Sequence, residues 1–159
     1  MRVLGIDPGS HITGYGVVEK KGAQLLHIDN GCLSIKKSLP FPQKLLEIHV
    51  GLTKIIYEFK PDVVAVEDIF FAKNAASALK LGESRGVAIL AATQKGLPVY
   101  EYPARTVKQA ITGYGQASKE QMQKMILHLL RLKEVAQEDA SDALAVAICH
   151  IHSYKLKDL

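Results

Sequence analysis

Apolar residues open the chain in a short, nearly continuous run that ends abruptly at a carboxylate. Residues 3–6 are typical of a buried strand, and Pro8-Gly9 ends that strand directly after Asp7. Proline cannot donate a ladder hydrogen bond, and glycine accepts backbone angles that other residues avoid. The pattern therefore predicts a core strand with Asp7 at its C-terminal tip, which is where open α/β sheets build their sites.

Two further strands are predicted directly after this turn. Residues 15–19 form an apolar run, and residues 24–35 alternate imperfectly between apolar and polar side chains. The link at 20–23 contains a glycine and is short enough for a hairpin. The imperfect alternation indicates a bulge near Asn30-Gly31. The first three strands are therefore expected to form an antiparallel meander.

Apolar residues then recur at helical spacing in long segments, separated by two short apolar runs. The runs at 62–67 and 98–102 are typical of strands, and the first is apolar enough to be covered on both faces. Ser118, with Gln121 three residues later, forms the capping-box pattern of a helix start. The expected helices are residues 43–59, 75–94, 104–111, 118–130 and 139–154.

This order of elements predicts an α/β fold. Three antiparallel strands precede two parallel strands that alternate with helices, so a five-stranded mixed sheet with helices on both faces accommodates the chain. With 159 residues, 48% of them hydrophobic, we expect one domain, residues 1–159, with a substantial core.

Composition narrows the function classes. The chain has no run of eighteen apolar residues and no signal-peptide pattern at its start, so we expect a cytoplasmic protein without a membrane span. The net charge of +4 permits nucleic-acid binding but does not require it. Cys32 and Cys149 are far apart and outside any CxxC motif, which favours two reduced, buried thiols over a disulfide or zinc site.

Four carboxylates occupy positions from which they can converge. Asp7 and Glu67 end two strands, and Asp139 and Asp142 lie three residues apart in the first turn of the last helix. The helix pair alone is also explained as an N-cap and an N3 residue that the helix dipole favours. A cap does not, however, require acids at two strand tips. Asp68 is a rival for the role of Glu67, although strand alternation points it to the opposite face.

A cluster of four carboxylates predicts a bound cation. Without one, mutual repulsion would keep some of the acids protonated or prevent the site from forming. Hard divalent ions such as Mg²⁺, with Mn²⁺ as a substitute, prefer oxygen ligands. Two such ions about 4 Å apart suit phosphodiester cleavage, because one activates water and the other stabilises the leaving oxygen. The four acids therefore indicate metal-dependent phosphoryl chemistry.

Several motifs follow one another in order along nearly the whole chain. They are Gly5-Ile6-Asp7-Pro8-Gly9-Ser10, Thr13-Gly14-Tyr15-Gly16, Val66-Glu67, Phe70, Ala72-Lys73-Asn74, Ala78-Leu79-Lys80-Leu81-Gly82, Arg85-Gly86-Val87-Ala88, Val107-Lys108-Gln109 and Asp139-Ala140-Ser141-Asp142-Ala143-Leu144-Ala145. With these motifs the chain resembles the RuvC family of bacterial Holliday-junction resolvases, within the ribonuclease H-like superfamily. Each motif alone is weak, but their combination is highly specific.

The resemblance implies a ribonuclease H-like fold and a catalytic, metal-binding tetrad of Asp7, Glu67, Asp139 and Asp142. It also implies a homodimer that binds a four-way DNA junction during recombination and repair, and nicks two strands of like polarity. The branch-migration proteins RuvA and RuvB would be partners. The family places the helix that starts near Ala75 at the dimer interface, although its small residues are equally explained by close packing within one subunit.

DNA binding requires basic side chains near the acids. The candidates are Lys73, Lys80, Arg85, Arg105, Lys108 and Lys119, of which Lys108 and Lys119 match basic positions of the family. Any single lysine among them is also explained as a solvated surface residue. Phe70 matches an aromatic of the family and is expected to stack on an unpaired base, whereas Phe71 is expected to pack into the core.

Two other functions were weighed against the nuclease. A non-catalytic nucleic-acid clamp of the same fold gains nothing from acids clustered against DNA. A nucleotide-binding module of the actin-like or sugar-kinase type is suggested by Asp-Pro-Gly-Ser after the first strand. That type needs two such domains around its nucleotide, and the chain has no Walker A motif.

Overall fold

The structure, a computed structural model, describes residues 1–68 and 74–157. The elements run β1 (Arg2–Asp7), β2 (Ile12–Lys21), β3 (Gln24–Ser34), α1 (Phe41–Phe59), β4 (Val63–Asp68), α2 (Ala75–Gln94), β5 (Val99–Pro103), α3 (Ala104–Thr112), α4 (Lys119–Leu130) and α5 (Glu138–Lys157). The predicted order of strands and helices is confirmed.

The five strands form one mixed sheet in the order β3-β2-β1-β4-β5. The first three pair antiparallel, and β4 pairs parallel with both β1 and β5. The predicted α/β fold is therefore confirmed. The predicted bulge in the third strand is present, but it lies two residues before Asn30. Asn30 and Gly31 pair regularly with β2, whereas Ile28 is the extra residue between His27 and Asp29, opposite Val17/Val18.

Alternating side chains divide the sheet between two cores. Val3, Val63 and Ala65 pack on the side of α3, α4 and α5, while residues such as Leu4 and Val64 pack on the side of α1 and α2. The first side is dominated by α5, which is buried along most of its length and contacts all five strands. Period-two alternation thus assigns every strand residue to one of two helical layers.

The first residues of α4 and α1 explain where these two helices begin. At α4, the Gln121 backbone N–H donates to the Ser118 hydroxyl at 3.2 Å, and the Ser118 backbone N–H donates to the Gln121 side chain at 2.9 Å, which confirms the capping box. Helix α1 begins at Phe41, two residues before the expected start, because Pro42 is tolerated in a first turn.

Both cysteines are free, as predicted, but Cys149 alone is fully buried, and Cys32 is partly exposed. Among the described helices, none has the length and apolar character needed to cross a membrane.

Candidate functional site

The tips of β1 and β4 bring two carboxylates side by side. These strands are parallel neighbours, and their last paired residues are Ile6 and Val66. Asp7 and Glu67 follow at the same level of the sheet. Since the side chains of a strand alternate, both acids belong to the face that α5 covers.

Strand alternation separates Glu67 from its neighbour Asp68. Glu67 follows Ala65 on the α5 face, whereas Asp68 follows Val66 on the face of α1 and α2. There the Asp68 carboxylate forms an ion pair with the Arg85 guanidinium of α2, with 3.4 Å between Oδ1 and Nη2. The geometry therefore places Glu67, and not Asp68, toward the acids of α5.

Glycines let the N-terminal part of α5 lie directly on the strands. A Cβ atom at Gly14 would collide with the backbone carbonyl of Asp139, and one at Gly5 would collide with the carbonyl of Ala143. The helix backbone therefore rests on bare strand backbone at both points. This close approach positions Asp139 and Asp142 over the tips of β1 and β4.

Asp139 is the second residue of α5, because the helix begins at Glu138. The interpretation of Asp139 as an N-cap is therefore wrong. The Ser141 backbone N–H donates to the Gln137 carbonyl at 2.7 Å, so helical hydrogen bonding already spans Asp139. Negative charge in a first turn is favoured by the helix dipole, which partly offsets the cost of gathering acids here.

Asp7 is electrostatically coupled to the other three acids of the cluster. Burial, followed by the charges of Asp142, Glu67 and Asp139, raises the pKa of Asp7 from 3.8 to about 8. Burial also raises the pKa of Glu67 and of Asp142, and each has another acid of the cluster as a further cause. The cluster therefore carries less negative charge at neutral pH than four free carboxylates would.

Two of the predicted basic residues lie within electrostatic range of these acids. The charges of Lys108 and Lys119 lower the pKa values of Glu67 and Asp142, against the raising effect of burial, and Lys119 does the same for Asp7. Lys119 also forms an ion pair with Glu138. Glu138 is not among the predicted site residues, although its position directly before Asp139 is a signal for it in the sequence.

The other predicted DNA contacts have different surroundings. Arg85 is 16% exposed in its side chain, and its guanidinium lies 2.9 Å from Glu101 as well as near Asp68. Its role in DNA binding stays a prediction, although the side chain already links α2 to β4 and β5. Lys80 is exposed beside the Phe41 ring, and Arg105 lies against Gly115. Phe70, Phe71 and Lys73 lie outside the described residues.

The donor set fits a hard divalent cation, because four carboxylates offer oxygen ligands and burial disfavours the charge of Asp7, Glu67 and Asp142. Within residues 1–68 and 74–157, however, no three acidic, histidine or cysteine side chains are grouped closely enough to hold an ion as they stand. Electrostatic range is wider than coordination distance, so both observations hold. Metal binding would have to draw the carboxylates together.

A second concave feature lies away from the acids. A cavity of about 930 Å³ is bounded by the β2–β3 hairpin, the end of α4 and the segment before α5, and its walls include His27, Asn30 and Arg131. The Asn30 side-chain amide lies 2.7 Å from the His27 ring. The cavity lies at the hairpin end of the sheet, and Asp7 lies at the opposite end of β1.

Comparison with known proteins agrees with this geometry. The family model described as crossover junction endodeoxyribonuclease RuvC matches residues 3–150. A crossover junction endodeoxyribonuclease RuvC from Pelobacter propionicus is 61% identical over 98% of this chain and 89% of its own length. Another from Syntrophotalea carbinolica is 58% identical over 100% of this chain and 99% of its own length.

Solved structures give the same result. The Thermus thermophilus RuvC in complex with a Holliday junction substrate superposes with a TM-score of 0.94 at 35% identity, over 99% of this chain and 96% of that one. The yeast mitochondrial Holliday junction resolvase shares the fold, with a TM-score of 0.71 at 17% identity over 98% and 80% of the two chains. Strand order, the acids at the strand tips and a family match over almost the whole length agree: the chain belongs to the RuvC family of crossover junction endodeoxyribonucleases.

Proposed function

We propose that this protein is an endonuclease that resolves four-way DNA junctions by hydrolysing phosphodiester bonds at its carboxylate cluster. The observation that carries the proposal is the placement of Asp7, Glu67, Asp139 and Asp142, from three elements, at one end of the sheet. The Thermus thermophilus relative, bound to a Holliday junction, supports the choice of substrate.

The four carboxylates would hold Mg²⁺, in two sites, with Mn²⁺ as a substitute. When bound, the metal supplies Lewis-acid polarisation of the phosphate and of the attacking water. In the reaction a water oxygen bonds to phosphorus while the bond to the 3′-oxygen breaks, which leaves a 3′-hydroxyl and a 5′-phosphate that a ligase can join. Lys108 and Lys119 attract the phosphate into a site that its own acids would otherwise repel.

Paired nicking requires two active sites, and α2 supplies a surface for a homodimer. Leu79 and Leu90 are exposed on this helix, at 67% and 50%. A Cβ atom at Gly82 or Gly86 would meet nothing within 4 Å among the described residues, so packing within the subunit does not account for these glycines. Each glycine costs a helix roughly 1 kcal/mol relative to alanine, and close approach of a second α2 would offset that cost.

A two-fold symmetric dimer presents two identical carboxylate clusters, which suits symmetric cuts in two strands of like polarity. RuvA and RuvB as partners in branch migration follow from the resemblance to the family. A cytoplasmic location fits an enzyme that acts on recombining DNA.

The decisive experiment compares cleavage of a synthetic four-way junction and of a linear duplex with the same sequence, in the presence of Mg²⁺. We expect paired, symmetric nicks in the junction alone. Asp7→Asn should bind the junction as well as the unaltered protein does but cut it at least about 100-fold more slowly, because the altered side chain cannot supply a carboxylate. Binding without cleavage in any divalent metal would favour the clamp, and equal cleavage of the duplex would exclude junction specificity.

A further inference from the structure

A basic surface lies where the β1–β2 turn meets the start of α1 and the first half of α2. We call it the α1 basic surface, and it consists of His11, Lys36, Lys37, Lys44 and Lys80. The backbone N–H of Ile35 donates to the His11 carbonyl at 2.8 Å. Lys36 and Lys37, which follow Ile35, therefore lie next to the β1–β2 turn.

Side-chain contacts hold the three segments together. The Lys44 ammonium nitrogen lies 3.5 Å from Nδ1 of His11, and the Lys80 ammonium nitrogen lies 5.8 Å from the centre of the Phe41 ring. Lys36, Lys37, Lys80 and His11 are exposed, whereas Lys44 is 8% exposed. The contacts therefore join the turn to α1 and α1 to α2, and Lys36 and Lys37 follow the residue that is hydrogen-bonded to the turn.

Local acids do not neutralise this surface. Residues 8–12 and 35–46 contain no Asp or Glu, and the nearest acids along α1 and α2 are Glu47 and Glu83. Within the described part of the chain, none of the four lysines forms an ion pair with a carboxylate. By contrast, Lys119 on the other side of the sheet is paired with Glu138. The α1 basic surface thus lacks a protein counter-charge at close range.

The contact between Lys44 and His11 places a buried positive charge directly behind an exposed imidazole ring. An ammonium group only donates hydrogen bonds, so Nδ1 of His11 must accept, and the neutral ring then carries its proton on Nε2. Lys44 is buried without a carboxylate partner among the described residues, and an anion that comes near would offset the cost of burying its ammonium group. An anion at the exposed ring of His11 would meet both the Nε2–H donor and the charge behind it.

The position of the surface relative to the carboxylate cluster suggests which anion this is. His11 follows Asp7 by four residues, so their Cα atoms lie within about 14 Å of each other. This distance corresponds to only a few nucleotides along one DNA strand. Lys108 and Lys119 approach the cluster from the layer of α3, α4 and α5, whereas the α1 basic surface belongs to the layer of α1 and α2. Positive charge therefore flanks the acids on both faces of the sheet.

We propose that the α1 basic surface binds backbone phosphates of the DNA strand as it continues past the catalytic acids, on the side opposite Lys108 and Lys119. This inference rests on the proposed junction-cleaving function and adds a second phosphate-binding surface to it. The scissile strand then crosses the end of the sheet from one helical layer to the other, with phosphates held on both sides of the bond that is cut.

The test measures how junction affinity depends on salt, in EDTA, for the full-length protein. Each phosphate contact that is lost should lower the slope of log K against log salt by about 0.9 for duplex DNA. The proposed homodimer carries two copies of this surface, so Lys36→Gln/Lys37→Gln removes four lysines per complex and should lower the slope by about 3.6. Between about 50 and 200 mM salt, this variant should therefore lose about 100-fold less affinity than the unaltered protein.

Two matched variants make the test specific. Lys36→Arg/Lys37→Arg keeps the charges and should keep the slope. Lys54→Gln/Lys95→Gln removes two exposed lysines of the same layer, from later in α1 and from the end of α2, and should leave the slope unchanged.

The outcomes separate this inference from the proposed function. If the unaltered protein binds and cuts junctions but Lys36→Gln/Lys37→Gln shows the same slope as Lys54→Gln/Lys95→Gln, the α1 basic surface does not contact DNA. If the arginine variant also loses the slope, the loss does not come from charge, and the inference is overturned. Failure of the unaltered protein to bind any junction would instead remove the proposed function itself.

Discussion

Replacement of Asp7 by asparagine should stabilise the metal-free protein while it abolishes cleavage. The pKa of Asp7 rises from 3.8 to about 8 on folding, because the side chain is buried beside other acids. Below pH 3.8 the carboxyl is protonated in both states and does not affect the free energy of unfolding. Between 3.8 and 8 the unfolded state releases the proton and the folded state retains it, so stability falls as pH rises.

The size of the effect follows from the width of that pH window. Each pKa unit corresponds to about 1.4 kcal/mol, so the carboxyl costs at most about 4 kcal/mol at pH 7. Relaxation of the neighbouring acids reduces this cost, and we expect a gain of about 2 to 4 kcal/mol for Asp7→Asn at pH 7.5. At pH 4 the gain should fall below about 1 kcal/mol, since this pH lies only just above the pKa of 3.8 in the unfolded state.

The assay is urea unfolding in EDTA at pH 4 and pH 7.5, with Glu47→Gln as a control that alters an exposed acid of α1. Addition of Mg²⁺ at pH 7.5 should then reverse the order, because a ligand that binds only the folded state stabilises it and Asp7→Asn would bind it more weakly. Equal stability of Asp7→Asn and the unaltered protein at pH 7.5, or the same gain at both pH values, would refute the reasoning.

Four further substitutions test other parts of the structure. Glu67→Gln should slow single-turnover cleavage of the junction at least about 100-fold, whereas Asp68→Asn should cleave within about threefold of the normal rate. In urea unfolding, Asp68→Asn should lose less than about 1 kcal/mol of stability. Comparable losses of cleavage would contradict the assignment of the two side chains to opposite faces. Gly5→Ala should destabilise the protein by about 3 kcal/mol or more in urea, because the new methyl group meets the Ala143 carbonyl; near-normal stability would show that α5 does not rest on β1. Leu79→Glu should give a monomer by sedimentation at micromolar concentration where the unaltered protein is a dimer, and a persistent dimer would exclude this face of α2 as the interface.

Local sequence signals were sufficient for the elements and for the placement of the acids. The apolar run of β4, the capping box at Ser118 and the carboxylates at two strand ends depend on residues within a few positions of one another. Even the choice between Glu67 and Asp68 follows from strand alternation alone.

Features that depend on distant parts of the chain were not predictable in the same way. The Arg85 guanidinium forms ion pairs with acids of β4 and β5, and these acids are far from it in sequence. The bulge between β2 and β3 lies at a register shift that is set by the pairing of whole strands. The contact between His11 and Lys44 likewise exists only once α1 packs beside the first turn.

The central position of α5 has a consequence for the timing of synthesis. This helix carries two of the four acids and covers one face of the sheet, yet more than a hundred residues separate Asp7 from Asp139. At ordinary translation rates, a ribosome needs roughly 5 to 25 s to add that stretch. During this interval the sheet lacks α5, the helix that contacts all five strands, and Asp7 has no acids from α5 beside it. A partly made chain therefore lacks two of the four acids of the cluster, and its sheet is exposed to aggregation until α5 is made.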